Sequence, residues 1–229
     1  MPAVDCIAHR GFAELFPENT VTAARRAAAA GADTLEVDVR RCGTGEVVVI
    51  HDETVDRVTD GAGEVADHSL SELRSLDVLN SGEGVPRLDD VLAAVPDGTA
   101  VNVELKEQRL AHDVLSVASA HGNELLLSSF DADDLREASE AGDVSLALLF
   151  ADDPGRGIAT ARSLGCQAIH PHRRLCDGAF VNRAHEAGFA VNAWTVRSAD
   201  AATWLAAAGV DGLILGEPLE FGDSRRRWV

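Results

Sequence analysis

The feature of this sequence that most limits its fold is a repeat: short apolar, β-branched runs alternate with amphipathic helical stretches along the chain. Strands are expected at Ala3–Ala8, Thr34–Val39, Thr99–Leu105, Glu124–Ser129, Val144–Leu149, Cys166–His170, Phe189–Trp194 and Gly212–Leu215. Helical spacing follows most of them, as in the stretch from Asp131 to Glu140, so the strands should lie parallel. Eight such units predict an α/β fold of the TIM-type (β/α)8 barrel, with the functional site at the carboxyl ends of the strands. An open doubly wound sheet is the alternative, but no Gly-x-Gly-x-x-Gly or Gly-x-x-x-x-Gly-Lys phosphate loop occurs.

The second strand is unusual. In Thr34-Leu35-Glu36-Val37-Asp38-Val39 the apolar side chains alternate with two acids, so Glu36 and Asp38 share a face. Carboxylates flanked by Val and Leu suit an enclosed polar site better than an open surface. Gly43-Thr44-Gly45 then provides turn chemistry before Glu46–His51, which predicts a hairpin with Glu36 opposite His51. At the first strand end His9-Arg10-Gly11 precedes an Ala-rich helix, expected to be capped by Asn19 and closed at Gly31. Residues 52–87 break the repeat: they are rich in Gly, Asp and Ser with one capped helix at Ser69–Glu72. The expectation is one catalytic barrel over 1–229 carrying a small insertion after the second strand.

Composition narrows the partners. The chain has 229 residues, 46% of them apolar, with 38 acids against 20 bases and a net charge of -18. Nineteen of the bases are Arg and one is Lys, Lys106. An acidic, lysine-poor surface points to a protein adapted to concentrated salt, where screening relieves self-repulsion. It also argues against nucleic-acid binding, which needs clustered basic residues. Cys6, Cys42, Cys166 and Cys176 form no Cys-x-x-Cys pair and read as reduced structural thiols. With no signal-like start and no apolar run near about 18 residues, the expectation is a cytoplasmic protein without a membrane partner. The Arg225–Trp228 run is too short to hold a membrane.

Polar residues collect at the strand ends: His9, Arg10, Glu36, Asp38, His51, Glu104 and Lys106. A closed barrel would bring them together. Glu36, Asp38 and Glu104 form an all-oxygen ligand set for Mg2+ or Ca2+ rather than zinc. Arg10 and Lys106 offer positive charge to a phosphate, and His9 and His51 offer a general base and a general acid. Each residue alone also fits a solvated strand face or a loop. The single lysine, two residues after an acid at a strand end, strengthens the joint reading.

In order, Ile7-Ala8-His9-Arg10-Gly11, Pro17-Glu18-Asn19-Thr20, Leu35–Val39, Val49-Ile50-His51-Asp52 and Val103-Glu104-Leu105-Lys106 resemble the signatures of glycerophosphodiester phosphodiesterases. Ser128-Ser129-Phe130 and Ala193-Trp194-Thr195-Val196 extend the resemblance over nearly the whole chain. It implies metal ligands at Glu36, Asp38 and Glu104, acid–base histidines at His9 and His51, and phosphate contacts from Arg10 and Lys106. Phe130 and Trp194 would then form an aromatic wall against a glycerophosphodiester substrate, cleaved to glycerol 3-phosphate and an alcohol. Leu215-Gly216-Glu217-Pro218 departs from the family pattern, in which an Asp often follows the last strand.

Two other readings remain open on the sequence. One is phospholipase C-like cleavage of another phosphodiester headgroup, which calls for an apolar rim that the sequence does not show. The other is a non-catalytic barrel that binds a phosphorylated ligand; loss of a histidine or a carboxylate would mark it, and all five are present. His170 and His172 lie at another strand end, where packed or solvated histidines are the expectation over a second metal or phosphate contact.

Overall fold

A computed structural model describes residues 4–219. The start of the first expected strand and the Arg225–Trp228 run lie partly or wholly outside those residues. Nine strands appear in chain order: β1 (Asp5–Ala8), β2 (Thr34–Arg41), β3 (Val47–Val49), β4 (Ala100–Leu105), β5 (Leu125–Ser129), β6 (Ser145–Phe150), β7 (Ala168–Pro171), β8 (Ala190–Val196) and β9 (Gly212–Leu215). All but β3 pair in parallel, and β1 pairs with both β9 and β2, so eight strands close into a barrel. Strand β3 lies outside that ring, antiparallel to the end of β2. This is the (β/α)8 architecture expected from the repeat.

Helices cover the barrel: α1 (Val21–Ala29), α3 (Leu88–Leu92), α4 (Ala111–Ala118), α5 (Ala132–Ala141), α6 (Pro154–Ser163), α7 (Gly178–Glu186) and α8 (Ala199–Ala208), while α2 (Leu70–Ser75) sits between β3 and α3. Leu35, Val37 and Val39 point outward from β2 into the main core and are 0–1% exposed. Alternation therefore turns Glu36 and Asp38 inward. Helix α1 starts at Thr20, whose hydroxyl accepts the Ala23 amide. This corrects the sequence assignment: Asn19, with φ +60°, uses its side chain elsewhere.

Between β3 and α3 the chain builds a second apolar cluster from Val48, Ile50, Val55, Val58, Val65, Leu73, Val78 and Val85 together with Cys42. The expected Ser69–Glu72 capping box opens α2. All four cysteines are free and buried. Among the described residues no helix is long and apolar enough to cross a membrane.

Candidate active site

Parallel pairing decides which residues of the mouth meet. In the β2–β4 register Glu36 lies beside Asn102 and Asp38 beside Glu104, so the three acids project inward from adjacent strands. Their carboxylate oxygens lie within 4.8 Å of one another, and the three residues are 2%, 0% and 7% exposed. Such crowding of like charges out of water is costly unless cations compensate it.

Two cations of the chain do part of this. Arg10 Nε stands 3.0 Å from Asp38 Oδ2, and Lys106 Nζ stands 3.1 Å from Asp38 Oδ1 and also bonds Glu104 Oε1. Arg10 and Lys106, expected as phosphate contacts, thus brace carboxylates while lining the same cavity. Asn19 completes the support: its amide nitrogen donates to Asp38 Oδ2 at 2.9 Å, and its oxygen accepts the Asp38 amide at 3.3 Å.

The balance differs among the acids. Burial opposes ionisation of Asp38, but Lys106 and Arg10 outweigh it and hold its pKa below the ordinary range. Burial pushes Glu36 well above that range, and the charges of Asp38 and Glu104 add to the effect. Burial and Asp38 also push Glu104 up, to about 7, against the pull of Lys106. Glu36 Oε2 accepts the Arg10 amide at 2.8 Å, whereas its buried Oε1 has no hydrogen-bond partner. An orphaned carboxylate oxygen beside two other acids is the arrangement a hard divalent cation satisfies.

The histidines flank this cluster. His9 begins a 3-10 turn over His9–Gly11, in which Arg10, Gly11 and the following Phe12 have φ of +51°, +77° and +66°. A side chain at Gly11 would come within 2.7 Å of Ala23 Cβ, so glycine lets the turn press against α1. Left-handed backbone at Arg10 and Phe12 costs about 1–2 kcal/mol per residue, and the surrounding contacts sustain it. Burial, reinforced by the charge of Arg10, lowers the His9 pKa to about 4.

His51 arrives by a register other than the one expected. Observed pairs are Val39 with Val49, Arg40 with Val48 and Arg41 with Val47, a one-residue shift from any pairing of Glu36 with His51. The Ile50 amide donates to the Asp38 carbonyl at 3.0 Å, and Arg40 Nε donates to the His51 carbonyl at 2.8 Å. His51 still faces the acids, because the chain turns over the mouth after Ile50. Its Nδ1 lies 2.5 Å from Asp52 Oδ1, which assigns the proton to Nδ1 and leaves Nε2 free. Burial lowers the His51 pKa, while Asp38 and Asp52 partly restore it.

A cavity of about 170 Å3 unites the set: His9, Arg10, Glu36, His51, Asn102, Glu104, Lys106, Phe130, Leu149, Trp194, Thr195, Arg197 and Ile214 line it. A larger space of about 630 Å3 adjoins it at Glu104, Lys106 and Phe130 and extends between Glu53, Glu64 and Asp131. Phe130 and Trp194 meet edge to face at 5.4 Å, and the exposed Phe130 ring stands at the junction. His170 is 1% exposed and touches Asn192, and the half-buried His172 packs edge-on against Trp194. Glu18, Asp52, Asn102 and Arg197 escaped sequence reasoning. Glu18 and Asp52 adjoin recognised residues, but only the folded chain shows what they touch.

A closed parallel barrel with acids, bases and histidines around one polar cavity defines a (β/α)8-barrel hydrolase site. Residues 9–220 match the glycerophosphoryl diester phosphodiesterase family. A glycerophosphodiester phosphodiesterase of Caldanaerobacter subterraneus subsp. tengcongensis is 32% identical over 227 residues, covering 93% of each chain. An Oleispira antarctica phosphodiesterase, solved in complex with the product sn-glycerol-3-phosphate, superimposes with a TM-score of 0.86 at 27% identity, over 93% of this chain and 92% of that one. The Thermotoga maritima glycerophosphodiester phosphodiesterase has a TM-score of 0.84 at 26% identity, over 94% and 96%. The chain belongs to the glycerophosphodiester phosphodiesterase family and is an enzyme of that class.

Proposed function

We propose that this protein hydrolyses glycerophosphodiesters to glycerol 3-phosphate and an alcohol, with His9 and His51 as the acid–base pair and Mg2+ or Ca2+ held by Glu36, Asp38 and Glu104. One observation carries the reading: of three mutually adjacent buried carboxylates, Glu36 and Glu104 line a small cavity together with two histidines, and Asp38 lies directly behind them. The all-oxygen donor set and the orphaned Glu36 Oε1 fit such an ion. When bound, the cation supplies positive charge for the non-bridging phosphoryl oxygens.

The remaining work falls to the side chains. Arg10 and Lys106 border the same cavity and add charge at close range, and Phe130 and Trp194 provide an apolar wall for the organic part of the substrate. Burial and Arg10 keep His9 neutral near pH 7, so its ring can accept a proton from the attacking hydroxyl. His51 keeps Asp52 on Nδ1, so when its Nε2 takes up a second proton the carboxylate balances the charge, and that Nε2 proton passes to the departing alcohol oxygen. If water attacks, one displacement gives both products; if the glycerol's own neighbouring hydroxyl attacks, a cyclic phosphate forms as the alcohol leaves and water then opens it with the two histidines exchanging roles, so in each step the proton taken at one histidine is matched by one given at the other. The chain is taken as one catalytic barrel, with 52–87 appended.

Glycerol 3-phosphate release from glycerophosphocholine, glycerophosphoethanolamine and glycerophosphoglycerol tests this, with each divalent ion and with chelator in high salt. Ion-dependent product release is expected. Turnover unchanged by exhaustive chelation would remove the metal from the reading, and no release from any of the three would remove the substrate class.

A further inference from the structure

The segment between β3 and α3 does more than cover the barrel end. After Asp52 the chain forms a tight turn: the Val58 and Thr59 amides donate to the Val55 carbonyl at 3.3 and 3.0 Å, and the Thr59 hydroxyl adds a bond of 2.8 Å. Val55 and Val58, 0% and 3% exposed, anchor this turn in the second apolar cluster. Arg57, between them, turns the other way and reaches the barrel mouth.

There its guanidinium spans two carboxylates. Nε lies 2.5 Å from Asp52 Oδ2 and Nη2 lies 3.2 Å from Asp52 Oδ1. Nη1 and Nη2 lie 3.0 and 2.9 Å from Glu18 Oε2 and Oε1. Each carboxylate holds a second group: Asp52 Oδ1 contacts His51 Nδ1 at 2.5 Å, and Glu18 Oε1 accepts from Arg10 Nη1 at 2.9 Å. We infer that Arg57 is a positioning residue for both His51 and Arg10, acting through Asp52 and Glu18, so that the segment after β3 orients the site it borders. This rests on the roles proposed above for His51 and Arg10.

The chemistry favours arginine specifically. A planar fork with five donors locks two carboxylates at once, whereas an ammonium holds them only as a point charge. The Arg57 side chain is 47% exposed, and ion pairs that open to water add little to stability. A staple that merely held the segment down would rest on Val55 and Val58. The exposed fork instead fixes the orientation of Asp52, and through it the tautomer and ring plane of His51.

The test compares Arg57→Ala, Arg57→Lys, Asp52→Asn and the Arg57→Ala/Asp52→Asn double variant in full-length protein with the activating divalent ion, with His51→Ala as control. Arg57→Ala should lower kcat by about 10- to 100-fold, with the thermal midpoint nearly unchanged. Arg57→Lys should recover little of this, while millimolar guanidinium added to Arg57→Ala should restore part of it. The double variant should lose less than the product of the two single losses, because both break one chain of contacts. Normal kcat in Arg57→Ala, full rescue by lysine, or strictly multiplicative losses would overturn the inference. Inactive His51→Ala beside normal Arg57→Ala overturns the positioning role alone. Near-normal His51→Ala overturns the acid–base reading and the positioning role with it.

Discussion

The two walls of the barrel mouth are built from the same kind of strand but differ in chemistry. On one wall β1, β2, β4 and the turn after β3 bring His9, Arg10, Glu36, His51, Glu104 and Lys106 to the cavity, with Asp38 buried against them. Across from it β6, β8 and β9 offer mainly apolar groups, Leu149, Trp194 and Ile214, with Thr195 and Arg197 at the end of β8. A histidine appears on both sides, and the environments diverge. His51 has a carboxylate on its ring, while His170 is buried with Nδ1 unpartnered and Asn192 at Nε2. The polar wall holds charges that depend on one another, and changing one should alter several. The apolar wall should yield in smaller steps.

The largest effects should come from the histidines of the polar wall: His9→Ala and His51→Ala are each expected to lower kcat on the order of 100-fold or more, with little change in thermal midpoint. A near-normal rate in either would break the comparison. Glu36→Gln should separate activity from stability. Loss of one ligand should lower turnover by about 10- to 100-fold. In chelator, however, glutamine removes the cost of placing a carboxyl where burial, and then Asp38 and Glu104, disfavour its charged form, and should raise the thermal midpoint by a few degrees, about 1 kcal/mol at this chain length. A lower midpoint in chelator would show that Arg10 already compensates Glu36 fully.

On the opposite wall Trp194→Ala should raise KM by about 10-fold with a smaller change in kcat, as expected for loss of apolar contact worth about 1–3 kcal/mol. A fall in kcat alone would place Trp194 among the residues that orient catalysis. His170 predicts a pH effect without a catalytic one. Burial lowers its folded pKa to about 3 from an ordinary 6.5, so below about pH 6.5 the unfolded chain takes up a proton that the folded chain excludes. Stability should therefore fall as pH drops from about 6.5 toward 3, by up to about 1.4 kcal/mol per unit from this group. Denaturant midpoints of His170→Gln should show a shallower slope over that window, with turnover at neutral pH nearly intact. An unchanged slope would remove His170 as the source.

The smallest effect concerns salt. With a net charge of -18, the protein should repel an anionic diester at low salt, where the Debye length is about 10 Å or more and the field reaches well into solvent. In KCl titrations kcat/KM and the thermal midpoint should both rise, while capture inside the cavity, over a few ångströms, changes little. A steady loss of both would contradict a salt-adapted surface.

Much of this was legible in the chain alone. Eight β-branched runs at helix-length intervals determined a closed parallel barrel, because parallel strands need crossovers and crossovers need covering faces. Alternation in Leu35–Val39 determined that Glu36 and Asp38 share a face, and the motif order determined the family. Contacts between distant residues were decided by the tertiary structure. Asn19 looked like a cap, yet Thr20 caps α1 and Asn19 braces Asp38, because the left-handed backbone at Asn19 turns its amide into the barrel. His51 pairs neither with Glu36 nor in the expected register, since the length of β3 and the turn after it depend on the second apolar cluster. Arg57 carries no local signal of its link to Glu18, 39 positions away. Periodicity and turn chemistry act over neighbouring residues and so can be read in order. Which carboxylate shares which cation depends on strand register and on burial from all sides, and those quantities exist only once the barrel has closed.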